Sequence, residues 1–196
     1  MKSLIIATHN KNKTVEFAQM GHGVFTVSDL HDLGCVEEIP ETGSTLEENA
    51  LQKARFVHAH YQVNCLADDT GLEINALDGA PGVYSARFAG DDKNSIKNIQ
   101  KVLQLMAGRL DRKARFRTVV ALIVDGQEYL FEGIVDGEIL EQPVGEGGFG
   151  YDAIFKPDGF SQSFAQMSLA EKNTVSHRSR AFEKFVHFVN NHYRHV

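Results

Sequence analysis

Two adjacent carboxylates, Asp68 and Asp69, follow an apolar run in CLADDTGLEI, residues 65–74. Neighbouring anions in a half-buried segment repel each other and lose hydration. That cost disappears if a cation binds between them or if one of them acts as a base. Oxygen ligands without histidine or thiolate favour Mg²⁺. The pair therefore predicts a hard-cation site, which acids of the run EEIPETG could join unless that run is a solvated loop.

A second polar stretch, THNKNK at residues 8–13, follows the first predicted strand and opens the first predicted helix. The N–H groups of a helix N-terminus, together with hydroxyl, carboxamide and ammonium groups, suit a polyphosphate. A helix capped by Asn10 with solvated lysines explains the same spacing equally well. The stretch is not the longer glycine-rich loop of a Walker motif.

Two further stretches contain candidate ligand contacts. In GEGGFGYD, residues 145–152, glycines allow close backbone approach and Phe149 offers a stacking face for a base. A flexible turn with core aromatics is the alternative. His177 and Arg178 open the last predicted helix, where a solvated first turn favours acids over arginine, so we predict a ligand contact there. The glycine-rich segment from 79 to 90 has no predicted role.

Hydrophobic periodicity and capping signals predict the elements that position these residues. The Asp125-Gly126 dipeptide between two apolar runs predicts a β-hairpin. The predicted elements are a strand at 3–8, a helix from about Asn10, a helix at 44–61 with Ser44 and Glu47 as capping box, a strand ending at Asp68, a helix at 93–106, two strands on either side of Asp125-Gly126, and a final helix from Ser176 whose apolar stripe reaches Tyr193. This order predicts an α/β fold with a mixed sheet.

Composition sets the limits of the interpretation. A chain of 196 residues, 42% hydrophobic and 23% charged, predicts a single domain over 1–196 with a sizeable core. Apolar runs stay well short of the ~20 residues of a membrane span, and we expect no signal peptide. A net charge of −6 argues against a duplex nucleic-acid partner. Cys35 and Cys65 lack metal-ligand or disulfide spacing, which favours a reducing cytoplasm.

Six motifs together resemble the inosine triphosphate pyrophosphatase family nearly end to end: THNKNK, ETGSTLEENALQKA, ADDTGLEI, GAPGVYSARFAG, GGFGYD and SHR. The resemblance implies a homodimeric enzyme that uses Mg²⁺ to hydrolyse inosine, deoxyinosine and xanthosine triphosphates (ITP, dITP, XTP) to monophosphate and pyrophosphate. This activity removes deaminated purines from the nucleotide pool. The implied fold is an elongated mixed β-sheet flanked by helices, with two lobes and a central nucleotide cleft.

The resemblance also implies roles for single residues. Asp69 matches the general base and a metal ligand, and Asp68 would complete the anionic site as a second ligand or by raising the basicity of Asp69. Glu41 matches a third metal ligand, although relatives often have two acids where this chain has Pro40-Glu41, so Glu38 or a water could fill that place instead. The implied substrate contacts are Thr8, His9, Asn10, Lys11, Asn12, Lys13, Thr70, Phe149, Gly150, Tyr151, Asp152, Lys172, His177 and Arg178.

Arg178 suggests how the protein could distinguish hypoxanthine from adenine. Its guanidinium donates hydrogen bonds and accepts none, so it could bond the 6-oxo group of hypoxanthine but would face the amine of adenine donor to donor. Two other functions stay open on the sequence. The chain could be a pyrophosphatase for modified pyrimidine triphosphates, or a nucleotide-binding protein without catalysis.

Overall fold

The computed structural model of the protein describes residues 3–192 and has the mixed α/β fold that the sequence predicts. None of the helices in this range is long and apolar enough to cross a membrane. The strands and helices are β1 (Ser3–Ile6), α1 (Lys11–Met20), β2 (Thr26–Ser28), α2 (Leu46–Tyr61), β3 (Cys65–Ile74), β4 (Pro81–Gly82), α3 (Ser95–Leu105), β5 (Lys113–Val124), β6 (Gln127–Ile139), β7 (Phe155–Pro157), α4 (Leu169–Val175) and α5 (His177–His192).

The strands form one mixed sheet in the order β2-β1-β3-β5-β6-β7, with β4 paired to β3. Strand β1 runs parallel to β2 and to β3, with Ile5 opposite Cys65. Strands β4 and β7 pair antiparallel with β3 and β6. Asp125 and Gly126 join β5 to β6 with φ angles of +50° and +74°. Two successive positive φ angles are typical of a type I′ hairpin turn, which confirms the predicted hairpin.

The described chain divides into two compact units. Unit 1 contains residues 3–69, 118–133 and 178–192, and unit 2 contains residues 70–117 and 134–177. Each unit has its own apolar core. Unit 1 buries side chains of β1, α1, β5 and α5, and unit 2 buries side chains of α3, β5 and β6 with the aromatic rings that follow them. The predicted single domain over 1–196 stays a prediction.

Two local predictions are wrong. The capping box of α2 is formed by Thr45 and Glu48, one residue later than predicted. Strand β3 does not end at Asp68 but continues through the acid pair to Ile74. Gly71 lies inside this strand, and a Cβ atom there would lie 2.7 Å from the Gly82 carbonyl oxygen. Glycine is needed here because β4 approaches closely, and the backbone stays extended.

The remaining helices follow their predictions closely. Helix α1 begins directly after Asn10, α3 spans Ser95–Leu105, and α5 begins at His177. Phe182, Phe185 and Val189 of α5 are buried in the core of unit 1, as their spacing predicts. Tyr193, the last residue of that stripe, lies outside the described residues.

Candidate active site

The first acid of the pair, Asp68, is buried in unit 1 among cationic side chains. Its Oδ1 lies 3.0 Å from Lys13 Nζ. Its Oδ2 accepts hydrogen bonds from Arg178 Nε and Nη2, both at 3.2 Å. Burial alone raises the pKa of Asp68, but Lys13 and Arg178 outweigh burial and hold this pKa well below its usual range. Asp68 is therefore a fixed anion.

Asp69 has a different environment, although it is the next residue. Its Oδ2 accepts a hydrogen bond of 3.1 Å from Asn49 Nδ2, and its Oδ1 lies 3.5 Å from Lys53 Nζ. Burial raises the pKa of Asp69 above its ordinary value, and the nearby lysines only partly oppose this shift. A carboxylate with a raised pKa is a better proton acceptor near neutral pH. Two adjacent acids thus differ in basicity, as a base and its anionic neighbour should.

Helix α2 supplies both side chains that hold Asp69. Asn49 and Lys53 lie four residues apart, so they share one helix face, and both are buried with the apolar stripe of that face. Neither residue stands out in the sequence by its type alone. A signal was available, because both positions fall within the 3.6-residue repeat of Leu46, Ala50, Ala54 and Val57. Polar residues within a buried stripe need partners, and here the partner is Asp69.

Lys53 also forms an ion pair with Glu41, so its ammonium is shared by two carboxylates. Burial opposes the charge of Lys53, but Asp69 and Glu41 outweigh it and raise the pKa of Lys53, which keeps it protonated. Glu38, the alternative to Glu41, is exposed. The geometry therefore favours Glu41 over Glu38 as the acid that lies beside Asp69 at the predicted metal site.

These contacts bear on the predicted metal site. Glu41 and Asp69 present oxygen atoms to the same cation, as carboxylates at a Mg²⁺ site do. Within residues 3–192, no three His, Cys, Asp or Glu side chains are grouped so that they could hold a metal. Mg²⁺ often takes only one or two carboxylates and completes its shell with water and substrate phosphate, so two acids are sufficient. The role of Asp68 as a metal ligand stays a prediction, since it faces Lys13 and Arg178.

The predicted phosphate loop is an Asn-capped helix start whose lysine faces the acid pair. Asn10 Oδ1 accepts hydrogen bonds from the backbone N–H groups of Asn12 and Lys13, at 3.0 and 3.4 Å. His9 Nε2 lies 2.8 Å from the Glu37 carbonyl oxygen. Thr8 is buried, whereas Lys11 and Asn12 are exposed. Burial lowers the pKa of Lys13, whose ammonium pairs with Asp68. Phosphate binding by this loop stays a prediction.

In unit 2, two predicted substrate contacts, Phe149 and Lys172, meet around the carboxylate of a third, Asp152. Asp152 Oδ2 lies 2.6 Å from Lys172 Nζ and accepts a 2.9 Å hydrogen bond from the backbone N–H of Phe149. Lys172 Nζ also lies 4.7 Å from the centroid of the Phe149 ring. Gly148 has a φ of +68°, and a Cβ there would lie 2.2 Å from Asp152 Oδ2, so only glycine fits. The contacts hold the Phe149 backbone and place the Lys172 ammonium over its ring.

Tyr151 is buried and has a structural contact within the same unit. Its hydroxyl donates a 2.7 Å hydrogen bond to the Ser85 carbonyl oxygen. Ser85 Oγ in turn accepts from the Leu72 N–H at 2.8 Å and donates to the Gly82 carbonyl oxygen at 2.6 Å. Ser85 therefore joins three segments of unit 2, which gives the unassigned 79–90 segment a structural role. Thr70 in β3 and Gly150 are half-buried, and their substrate contacts stay predictions.

His177 and Arg178 are both buried at the start of α5, so neither belongs to a solvated first turn. The His177 ring stacks on Phe116 in unit 2, with centroids 4.6 Å apart. Arg178 is fully buried in unit 1, where its guanidinium pairs with Glu16 as well as Asp68. Glu16 was not singled out from the sequence, because its partner lies 162 residues away. Contacts of these two residues with a ligand stay predictions.

Comparison with known proteins places the chain in a family. The model of the Ham1 family matches residues 4–188. The chain belongs to the Ham1 family. It is 51% identical over 186 residues to a protein of Christiangramia forsetii named dITP/XTP pyrophosphatase, covering 95% of this chain and 98% of that one. A protein of the same name from Porphyromonas gingivalis is 47% identical over 190 residues, covering 96% and 98%.

Solved Ham1 structures have the same fold. The Ham1 protein of Staphylococcus aureus has a TM-score of 0.86 and 37% identity, covering 97% of this chain and 99% of that one. The HAM1 protein of Coxiella burnetii has a TM-score of 0.87 and 36% identity, covering 97% and 100%. These matches confirm both the family resemblance and the mixed α/β fold class.

Proposed function

We propose that this Ham1 protein hydrolyses non-standard purine nucleoside triphosphates to the monophosphate and pyrophosphate. It is an enzyme, a nucleoside triphosphate pyrophosphatase that acts on acid anhydride bonds. Relatives named dITP/XTP pyrophosphatase at 44–51% identity over nearly the whole chain support this assignment. The single observation that carries the chemistry is Asp69, a carboxylate of raised pKa that Asn49 and Lys53 hold in place.

We further propose that the enzyme uses Mg²⁺, held by Glu41 and Asp69. When bound, the ion neutralises phosphate charge that builds up during cleavage. Asp69 accepts the proton of the attacking water, and the amide of Asn49 keeps its carboxylate from rotating. Lys13 and Lys53 supply positive charge for the phosphates, and Asp68 holds Lys13 in place.

Base recognition belongs to unit 2 in this proposal. The Phe149 ring stacks on the purine, and the Lys172 ammonium contributes to binding the same nucleotide. Asp152 holds both residues in place. Stacking provides affinity for any purine. Hydrogen bonds to the 6-oxo group distinguish hypoxanthine and xanthine from adenine, which has an amine at that position. ITP, dITP and XTP are the proposed substrates. We also propose a homodimer in the cytoplasm, a setting in which the two buried cysteines stay free.

A nucleotide panel tests the proposal. Pyrophosphate and inorganic phosphate release are measured with ITP, dITP, XTP, ATP, GTP and modified pyrimidine triphosphates, with and without Mg²⁺. We expect pyrophosphate from the first three nucleotides only, and only with Mg²⁺. Preference for the pyrimidine triphosphates would favour the alternative pyrophosphatase. Binding of nucleotides without any product would favour a nucleotide-binding protein.

We expect Lys13→Ala to weaken triphosphate binding and slow turnover, because the ammonium acts as a point charge for the phosphates. The Michaelis constant for ITP should rise and kcat should fall, while binding of inosine, which has no phosphate, is unchanged. Lys184→Ala is the matched control, since Lys184 is an exposed lysine of unit 1 bonded only to a carbonyl oxygen in the contacts described. If Lys13→Ala has the Michaelis constant and kcat of the wild type, the 8–13 loop only caps the helix and does not bind phosphate.

A further inference from the structure

One cation contact in unit 1 sits where the proposed function requires a metal. Glu41 and Asp69 come from different segments of the chain, yet both direct a carboxylate oxygen at Lys53 Nζ. The lysine side chain is 9% exposed, so little water screens these contacts. Asp69 is buried and Glu41 is half-buried, and two carboxylates this poorly hydrated need a positive charge where their oxygens converge. In the protein alone, Lys53 provides that charge.

We infer that Lys53 is a displaceable cation, whose ammonium neutralises Glu41 and Asp69 until a divalent ion takes its place between them. The inference rests on the proposed Mg²⁺ site. An ammonium and a divalent ion cannot occupy the same position, and at contact distance they repel each other strongly. Metal binding by the protein alone must therefore overcome the loss of two ion pairs.

The displaced ammonium then needs a new anionic partner. A triphosphate provides one, because its oxygens carry the charge that Lys53 loses when Glu41 and Asp69 bind the metal. Release of Lys53 by the metal favours the phosphate, and capture of Lys53 by the phosphate favours the metal. Such coupling is reciprocal, so each ligand raises the affinity for the other by the same factor. The protein then binds the ion firmly only with a phosphate substrate present.

The second buried lysine provides a matched control. Lys13 lies in the same unit and pairs with Asp68, the neighbour of Asp69, but its ion pair does not include the proposed ligands. General electrostatic attraction would make the loss of either lysine favour metal binding to a similar extent. Direct displacement requires that the loss of Lys53 have the larger effect.

The test measures Mn²⁺ binding to the nucleotide-free protein by electron paramagnetic resonance, for wild type, Lys53→Met and Lys13→Met. We expect Lys53→Met to bind Mn²⁺ about tenfold more tightly than wild type, as removal of a competing unit charge at contact distance predicts, and Lys13→Met to change much less. Equal gains in both variants, or no gain in Lys53→Met, would overturn the inference. Turnover that survives removal of all divalent ions would contradict the proposed metal itself, and the inference with it.

A second measurement uses the wild-type protein, so it does not depend on how the variants fold. Trace acetylation with acetic anhydride, read by mass spectrometry, reports how accessible each lysine amine is. We expect Mg²⁺ to increase labelling of Lys53. Lys172, which is buried and paired with Asp152 in unit 2, is the internal control and should not change. Unchanged labelling of Lys53 at a Mg²⁺ concentration that supports turnover would contradict displacement.

Discussion

Replacement of Asp69 by asparagine is expected to lower kcat by ~10² to 10⁴, the range for loss of a general base. The side chain keeps its shape but can no longer accept the proton of water. The substitution also changes a hydrogen-bond pattern, because Asp69 accepts from Asn49 on one oxygen and faces Lys53 with the other. The asparagine side chain has only one oxygen, so its NH2 group must face the N–H donor of either Asn49 or Lys53. Pyrophosphate release at saturating Mg²⁺ measures the effect.

Nucleotide binding should survive this change, which separates catalysis from recognition. Binding of ITP to Asp69→Asn is measured directly by calorimetry, since the variant turns over slowly. Asp125→Asn is the control, because Asp125 is an exposed aspartate of unit 1 in a hairpin turn that accepts asparagine readily. Turnover of Asp69→Asn within a few-fold of wild type would contradict the assignment of the base.

The pH dependence of the wild type provides a further check on Asp69. A base must be ionised to act, so kcat/KM falls as the pH drops through its pKa. Burial raises the pKa of Asp69 in the metal-free protein, so at sub-saturating Mg²⁺ this fall should begin at a higher pH than for an ordinary aspartate. Asp68 titrates far lower and cannot produce the same limb. The limb should be lost from the residual activity of Asp69→Asn.

Local signals were sufficient to predict most of the fold. Asn10 caps α1, Asp125-Gly126 forms the hairpin, and the apolar stripe of α5 is buried, because each feature depends on residues close in sequence. The end of β3 was predicted wrongly for a related reason. Sequence spacing placed the end of this strand at Asp68, whereas β3 continues to Ile74 because β4 pairs with it, a contact that spacing alone does not reveal.

The candidate site was predictable in its residue types but not in its partners. The sequence identified Asp68 and Asp69 as acids that need a cation, and unit 1 provides Lys13, Lys53 and Arg178. These cations come from three distant parts of the chain. A buried charge is compatible with many partners, and only the fold decides which one is near. The position of Arg178 at a helix start predicted a ligand contact but could not predict that Arg178 is buried between Glu16 and Asp68.

Arg178 leads to the second large effect. Arg178→Ala should lower the free energy of unfolding by about 3–5 kcal/mol, the usual cost of removing one partner from a buried ion pair. The guanidinium is fully buried and pairs with both Glu16 and Asp68, so its loss removes a counter-charge from two buried carboxylates, although Asp68 keeps its ion pair with Lys13. For a chain of 196 residues, we expect Tm to fall by roughly 10 °C. Thermal and denaturant unfolding measure the change.

A companion substitution tests the cause of this loss. Arg178→Ala removes a counter-charge from the carboxylates of Glu16 and Asp68. Adding Glu16→Gln neutralises one of these carboxylates, so the double variant should regain part of the lost stability. An unchanged Tm in Arg178→Ala would contradict the ion-pair explanation. Kinetics then separate two roles for the residue. Equal losses of kcat/KM for ITP and for ATP in Arg178→Ala would mean that Arg178 acts through Asp68. A smaller ratio of kcat/KM for ITP to kcat/KM for ATP would mean that Arg178 also contacts the 6-oxo group of the base.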